Sequence, residues 1–213
     1  RIRHRLRSLL LKHIREERFG NAVDHDLLRS TLNMLVDVGG IDGINVYNME
    51  FEQHLLKETE TFYLNESQKY IALNSCSEYL VKAEQRLNEE SERVVNYLSS
   101  STEAKLTEIV VHALIAQHAA ALLAMDKNGQ QMMENDKFED LKRLYALFSR
   151  VPSTLDLLRA SIGDFTKQRG LEIAAKFEKA SEAVSFVKES LALEAKTSHI
   201  LRACFRGEKK AEK

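Results

Sequence analysis

Glu50, His54 and Glu58 recur every four residues. A helix would therefore line two carboxylates and an imidazole on one face, the donor types of a divalent-metal site. Such spacing arises readily in any charged helix, and a solvated polar face is the plainer reading. His112 and His118 are six apart, about 240° around a helix, so they face different directions and cannot clasp one ion. They read as partly buried or surface histidines. Gly39, Gly40 and Gly43 suggest a phosphate loop, but no strand precedes them and neither GxxxxGK[ST] nor GxGxxG can be written around them. A loop between helices is expected there. Cys76 and Cys204 match neither a metal spacing nor CxxC, and read as reduced thiols of an intracellular protein. Glu89, Glu90 and Glu92 read as a solvated acidic face rather than a catalytic carboxylate pair, and Met132-Met133 as packing. HExxH and GxSxG are absent, and no nucleophile, base and orienting group assemble. The chain is expected not to be an enzyme, and no catalytic, cofactor-binding or metal-binding residue is nominated.

The elements that carry these residues follow from composition and periodicity. The chain has 213 residues, 31 basic against 32 acidic and a net charge of −1, which gives no electrostatic reason to seek nucleic acid. With 44% hydrophobic and 30% charged residues, 8 glycines and 1 proline, it suits an all-α fold better than a turn-rich sandwich. No uninterrupted apolar run approaches the roughly 20 residues of a membrane helix and no signal peptide is visible, so a soluble protein is expected. The start at Arg1, already within a helical pattern, suggests a piece of a longer chain.

Along the sequence, Ile2, Leu6, Leu9, Leu10 and Ile14 mark a first helix ending near Gly20. Asp24 caps the next, in which Leu27, Leu28, Thr31, Leu32, Leu35 and Val36 repeat until Gly39-Gly40. Met49 to about Asn74 forms one long helix or two with a kink. Ser75 and Glu78 have capping-box spacing. Leu80, Ala83, Leu87, Val94 and Leu98 then form a stripe, while Lys82, Glu84, Glu89, Glu92 and Arg93 make a charged surface. Ser99 to Thr102 ends that helix and caps a buried one running from Leu106 to Ala121. Asp136 with Glu139 offers another capping box, and Pro152 breaks a helix or begins one. Leu155, Leu158, Ile162 and Phe165 line a helix ending near Gly170. Val184, Val187, Leu191, Ile200, Leu201, Cys204 and Phe205 mark the last, before a polar tail at 207–213. Roughly eight helices result, joined by mostly short loops.

Longer motifs run through these helices. Phe62-Tyr63-Leu64-Asn65-Glu66-Ser67, then Ser77 to Glu90 (SEYLVKAEQRLNEE) and Arg93-Val94-Val95-Asn96-Tyr97-Leu98, resemble the cullin pattern FYxxES…YLxxAExRLxEExxRVxxYL. The likeness continues through Ser101-Thr102, Leu114-Ile115 and His118, Glu139 to Tyr145, Phe148 to Pro152 and Gly170-Leu171. Upstream, Ile14 to Gly20 with Val46-Tyr47 and Phe51-Glu52 resembles RERxGE…VYxxxFE. Asn21 replaces the glutamate usual after that glycine, and Leu144 replaces a methionine common before the tyrosine. The character is nearer cullin 3 or cullin 1 members than cullin 2 or 5.

The resemblance implies stacked five-helix cullin repeats forming an elongated arm, with 1–74 the end of the second repeat, 75–206 the third and 207–213 a polar tail. It implies a rigid, non-catalytic scaffold segment of a cullin-RING E3 ubiquitin ligase, holding the substrate adaptor and the RING/E2 ends apart, in the cytoplasm and nucleus. The partners implied for the whole protein are a BTB or Skp1-like adaptor, a RING-box protein, NEDD8 and a cullin exchange factor, with no nucleic acid and no membrane. The motif glutamates and arginines are expected to lock helices together by hydrogen bonds. A compact globule of this length has a radius of gyration of about 17 Å, which a two-repeat rod should exceed. The competing reading is a free-standing helical binding module. Arg1, Arg3, His4, Arg5, Arg7 and Lys12 on the first helix would make it calmodulin- or membrane-surface-responsive.

Overall fold

The computed structural model describes residues 2–39, 46–124, 128–177 and 183–205. These contain helices and no strand. Gly40, Gly43 and the polar tail at 207–213 lie outside them.

Two compact units share the chain, one formed by 1–73 with 85–114 and the other by 74–84 with 115–213. In the first, α1 (Ile2–Arg18) ends at Gly20, whose φ of 89° suits a residue without a Cβ. Leu10, Leu11 and Ile14 are its buried apolar face, whereas Ile2 and Leu9, expected on the stripe, are exposed. Arg18 continues the stripe one turn further and is buried as well. Asp24 caps α2 (His25–Gly39), its carboxylate accepting from Leu27 N–H at 2.9 Å. Only Leu28 and Leu32 of the six expected α2 positions are buried, and Leu27 and Val36 face solvent.

The ambiguity between one helix and two resolves as a continuous helical stretch. It contains a π-helical turn over Asn48–Glu52, followed by α3 (Gln53–Leu73). The extra residue per turn brings both Phe51 and the carboxylate Glu52 inside. α4 (Cys76–Asn96) opens with the expected capping box: Glu78 accepts from Ser75 N–H at 2.9 Å and Oγ at 2.7 Å. Its 85–96 portion belongs to this first unit. Ser99 caps a 3₁₀ turn at Ser100–Thr102, which leads into α5 (Glu103–Leu114), packed along α3.

The buried helix expected over Leu106 to Ala121 is interrupted. Ile115 departs from helical geometry at φ −112°, a 3₁₀ turn follows at Ala116–His118, and α6 covers Ala119–Ala124. The interruption shifts the phase, so Ala119 and Leu122 are buried while Ala120 and Ala121 are exposed. By composition Ser100–Ala124 is long and apolar enough to cross a membrane, with a window of mean hydropathy 1.5. Leu106, Val110 and Ala113 within it are core positions of the first unit.

In the second unit α7 (Asn128–Glu134) packs Met132 and Met133 inward. α8 (Phe138–Phe148) starts at Lys137 without a side-chain cap, so the expected Asp136–Glu139 box does not form. Asp136 sits at φ 54°, outside the geometry a capping residue needs, and pairs with Lys196, while Glu139 turns to Lys142. Pro152 is the first residue of α9 (Pro152–Lys176), where its missing N–H costs nothing. That helix passes through Gly170 to Lys176. Gly170 stands in open space mid-helix, and Arg169 and Gln168 both hold Glu172 across it. α10 (Ala183–Cys204) buries Ile200, Leu201 and Cys204 but leaves Val184, Val187 and Leu191 exposed, contrary to the expected continuous stripe.

Candidate functional site

Polar chemistry in the first unit converges on Glu90. This residue lies on α4 between Leu87 and Val94 and is 3% exposed. Arg18, from the last turn of α1, approaches it with two parallel hydrogen bonds: Nε to Oε1 at 2.8 Å and a terminal nitrogen to Oε2 at 3.1 Å. Arg93, one turn along α4, donates to Oε1 at 2.9 Å, and the Tyr63 hydroxyl of α3 donates to the same oxygen at 2.5 Å. The same terminal nitrogen of Arg18 also donates to Thr59 at 2.7 Å, and its guanidinium lies over the rings of Phe62 and Tyr63. Three helices, α1, α3 and α4, thus meet at one carboxylate.

The cluster extends in both directions. Glu17 accepts from Arg93 at 3.3 Å and from Tyr97 at 2.5 Å, with His25 of α2 3.1 Å from its other oxygen. Arg86 holds Glu66 of α3 with one edge of its guanidinium, through Nε and Nη2, while Nη1 donates to Glu89 at 2.6 Å and to the Arg18 carbonyl at 3.1 Å. Elsewhere in the first unit, buried Glu52 accepts from Thr102 at 2.8 Å and Lys105 at 2.7 Å, and from Asn48. Tyr47 joins Thr102 at 2.8 Å. The Arg86 bond to the Arg18 carbonyl also caps the C-terminal end of α1.

The electrostatics fix the charges at the centre of the cluster, on Arg18 and Glu90. Burial opposes the ionised form of Arg18, but Glu90 outweighs it and holds the guanidinium above its ordinary pKa. Burial likewise opposes ionised Glu90, but Arg18 and then Arg93 outweigh it and leave the carboxyl below the usual range. Burial and the adjacent Glu90 push the Tyr63 phenol up, and burial with Glu17 does the same to Tyr97. Both phenols therefore remain donors near neutral pH, where Arg18 and Glu90 keep their opposite charges. The arrangement positions helices; it offers no nucleophile beside a base.

The expected solvated face at Glu89, Glu90 and Glu92 is thus corrected for Glu90, and so is the charged surface assigned to Arg93, which is 4% exposed. Desolvation is tolerated because four donors fill the Glu90 oxygens. Its signal was present in the sequence: Ala83, Leu87, Glu90, Val94 and Tyr97 follow the helical stripe spacing, and Glu90 occupies a stripe position.

The row of Glu50, His54 and Glu58 does not assemble into a donor set. Glu50 lies in the π-helical turn 3.7 Å from Arg3 and 3.6 Å from Arg7, Glu58 pairs with Arg15 at 3.0 Å, and His54 is half-buried. Among the described residues no three His, Cys, Asp or Glu side chains group around a common point. His112 is exposed, whereas His118 is half-buried against Tyr79 and held below its ordinary pKa by desolvation. Cys76 and Cys204 are buried free thiols; burial and nearby Asp140 push Cys76 up to about 12. Gly39 ends α2. Within the second unit the polar ties are fewer, with Ser77 donating to Asp140 at 2.7 Å and Arg143 to Glu84 at 2.8 Å.

The family description "Cullin alpha solenoid domain" matches residues 1–213. A cullin-3 of Dictyostelium discoideum is 39% identical over 202 residues, covering 94% of this chain and 26% of the relative. Cullin-3B of Arabidopsis thaliana is 37% identical over 210 residues, 98% of this chain and 28% of the relative. Human cullin-4A is 34% identical over 196 residues, 92% of this chain and 24% of the relative. The chain therefore spans about a quarter of the length of these relatives.

Proposed function

Because the chain belongs to the cullin family, we propose that it is a rigid, non-catalytic scaffold segment of a cullin-RING E3 ubiquitin ligase. It would hold the substrate adaptor and the RING/E2 ends of the assembly apart. Cullins are known as scaffolds of such ligases. The observation that carries the scaffold role is the cluster at Glu90. The motif residues Tyr63, Glu66, Arg86, Glu89, Glu90 and Arg93 spend their polar groups on each other and on Arg18, binding helix to helix rather than facing a substrate.

In this reading 1–74 is the end of the second cullin repeat and 75–206 the third, acting in cytoplasm and nucleus. The parent protein engages a BTB or Skp1-like adaptor, a RING-box protein, NEDD8 and an exchange factor.

The test is affinity purification of the tagged full-length parent from its own cells, with mass spectrometry of its partners and its lysines. Recovery of a RING-box protein and a NEDD8 remnant supports the ligase scaffold, and the adaptor recovered decides the class. An intact, well-expressed parent that brings down neither would sink the proposal.

A further inference from the structure

α1 and α3 lie side by side and run in the same direction. Arg7 meets Glu50, Arg15 meets Glu58 and Phe19 meets Phe62, so partner numbers rise together along both helices. Between them runs an open groove of about 810 Å³, bounded by His4 to Phe19 on one side and His54 to Lys69 on the other. Fifteen residues of helix on the α1 wall and sixteen on the α3 wall give a length of about 22 Å.

Its floor is apolar: Leu11 and Phe62 line it, and Phe19 stands at one end 67% exposed, its ring edge-on to Phe62 at 5.6 Å. Its charge is one-sided. The two acids on its walls are already engaged, Glu58 by Arg15 and Glu66 by Arg86. Lys12, Lys57 and Lys69, all exposed, have no ion-pair partner among the described residues. The polar cluster described above reaches this face only at Glu66 and the Phe62 ring and leaves Lys12, Lys57 and Lys69 unused.

We propose that this groove docks an acidic amphipathic helix of a partner protein, about four turns long. Such a helix would set apolar residues at i, i+3 or i+4 and i+7 onto Leu11, Phe62 and Phe19 and direct carboxylates to Lys12, Lys57 and Lys69. Two parallel helices flanking an apolar floor offer the packing surface for a third helix. The unpaired lysines set the sign of its charge and make the encounter salt-dependent. Three lysines over an apolar floor suit a peptide better than nucleic acid, which needs a longer cationic track. The inference does not depend on the ligase role.

The test places a photo-crosslinking residue at Thr61, an exposed position on the groove wall, in the full-length protein in its own cells. The crosslinked peptide is sequenced by mass spectrometry. It is then synthesised, and its affinity is measured by fluorescence anisotropy against the full-length protein with and without Lys12→Glu, Lys57→Glu and Lys69→Glu. The expected result is a segment of another polypeptide with net negative charge and a three-to-four apolar repeat. Its binding weakens at least about tenfold on charge reversal, the sum of three exposed ion pairs, and weakens with added salt for the unsubstituted protein. The salt series stands by itself if the substituted protein fails to fold. A crosslink to the protein's own chain or to RNA, a segment lacking negative charge, affinity indifferent to salt and reversal, or no crosslink overturns the proposal.

Discussion

Arg18 and Glu90 lie 72 residues apart in sequence and meet through two hydrogen bonds of 2.8 and 3.1 Å, both side chains withdrawn from water. A buried pair of this kind is weak support for stability against a hydrophobic alternative, yet costly to break from one side. Glu90→Ala strands Arg18 and Arg93 together without their shared counter-charge, so urea unfolding should show a loss of about 3–5 kcal/mol. The double change Arg18→Met with Glu90→Leu removes both charges of the pair and should recover much of that loss. If the single change costs under about 1 kcal/mol, the cluster does not hold these helices together.

How far this was legible in the sequence depends on the kind of contact. Local signals translated directly at four places and failed at two: Asp24 and Ser75 cap where they were expected to, and Gly20 and Pro152 stand at a helix end and a helix start, but Asp136 does not cap α8 and Gly170 does not end α9. Periodicity named the α4 stripe correctly. It failed where a residue's type and its position disagreed, as at Glu90, which charge alone assigns to solvent. It also failed at Leu9, Leu27 and Val187, apolar side chains left exposed because no described element covers them. Which helices Arg18 joins is tertiary information, since its spacing to Thr59 or Glu90 obeys no local period. The run across Ile115 misled for a third reason: a local break shifted the helical phase without any glycine or proline to announce it.

Acid sensitivity follows from the same carboxylate. Its folded-state pKa is depressed, so its stabilisation is present above the unfolded carboxyl pKa of about 4.3 and is lost as pH falls through the folded value. Stability should therefore hold from neutral pH to about 5 and fall below about 4.3. In Glu90→Gln, which is weaker throughout, this part of the acid dependence should be gone. Parallel pH profiles of the two proteins below pH 4 would show that Glu90 is not the group responsible.

Alkaline behaviour has the opposite sign. Tyr63 and Tyr97 have folded pKa values raised by burial and by the carboxylates they donate to. The stability they supply is complete below the free phenol value of about 10 and is lost as pH rises beyond it, because the unfolded phenols ionise first. Absorbance at 295 nm should show at least three of the six tyrosines, Tyr63 and Tyr97 with Tyr47, whose phenol burial also raises, failing to ionise until circular dichroism reports unfolding. Native signal with every phenol titrating near pH 10 would contradict the buried donor geometry.

The two thiols provide a local probe of the second unit's packing. Cys76 opens α4 at 2% exposure, with burial and Asp140 together pushing its thiol up to about 12, and Cys204 near the end of α10 is also raised by burial. At pH 8 a thiol of pKa about 12 is thiolate in only about one molecule in ten thousand, and thiolate is the reactive form. Both cysteines should therefore resist a disulfide reagent in native buffer and react together once urea unfolds the chain. Cys204 lies 3.7 Å from the Phe138 carbonyl and one residue before Phe205, which stacks edge-on with Tyr145 of α8. Phe205→Ala, which opens that contact, should cost about 3–5 kcal/mol. It should speed labelling of Cys204 well before that of Cys76. Equal acceleration at both thiols would mean that the end of α10 does not loosen separately from the start of α4.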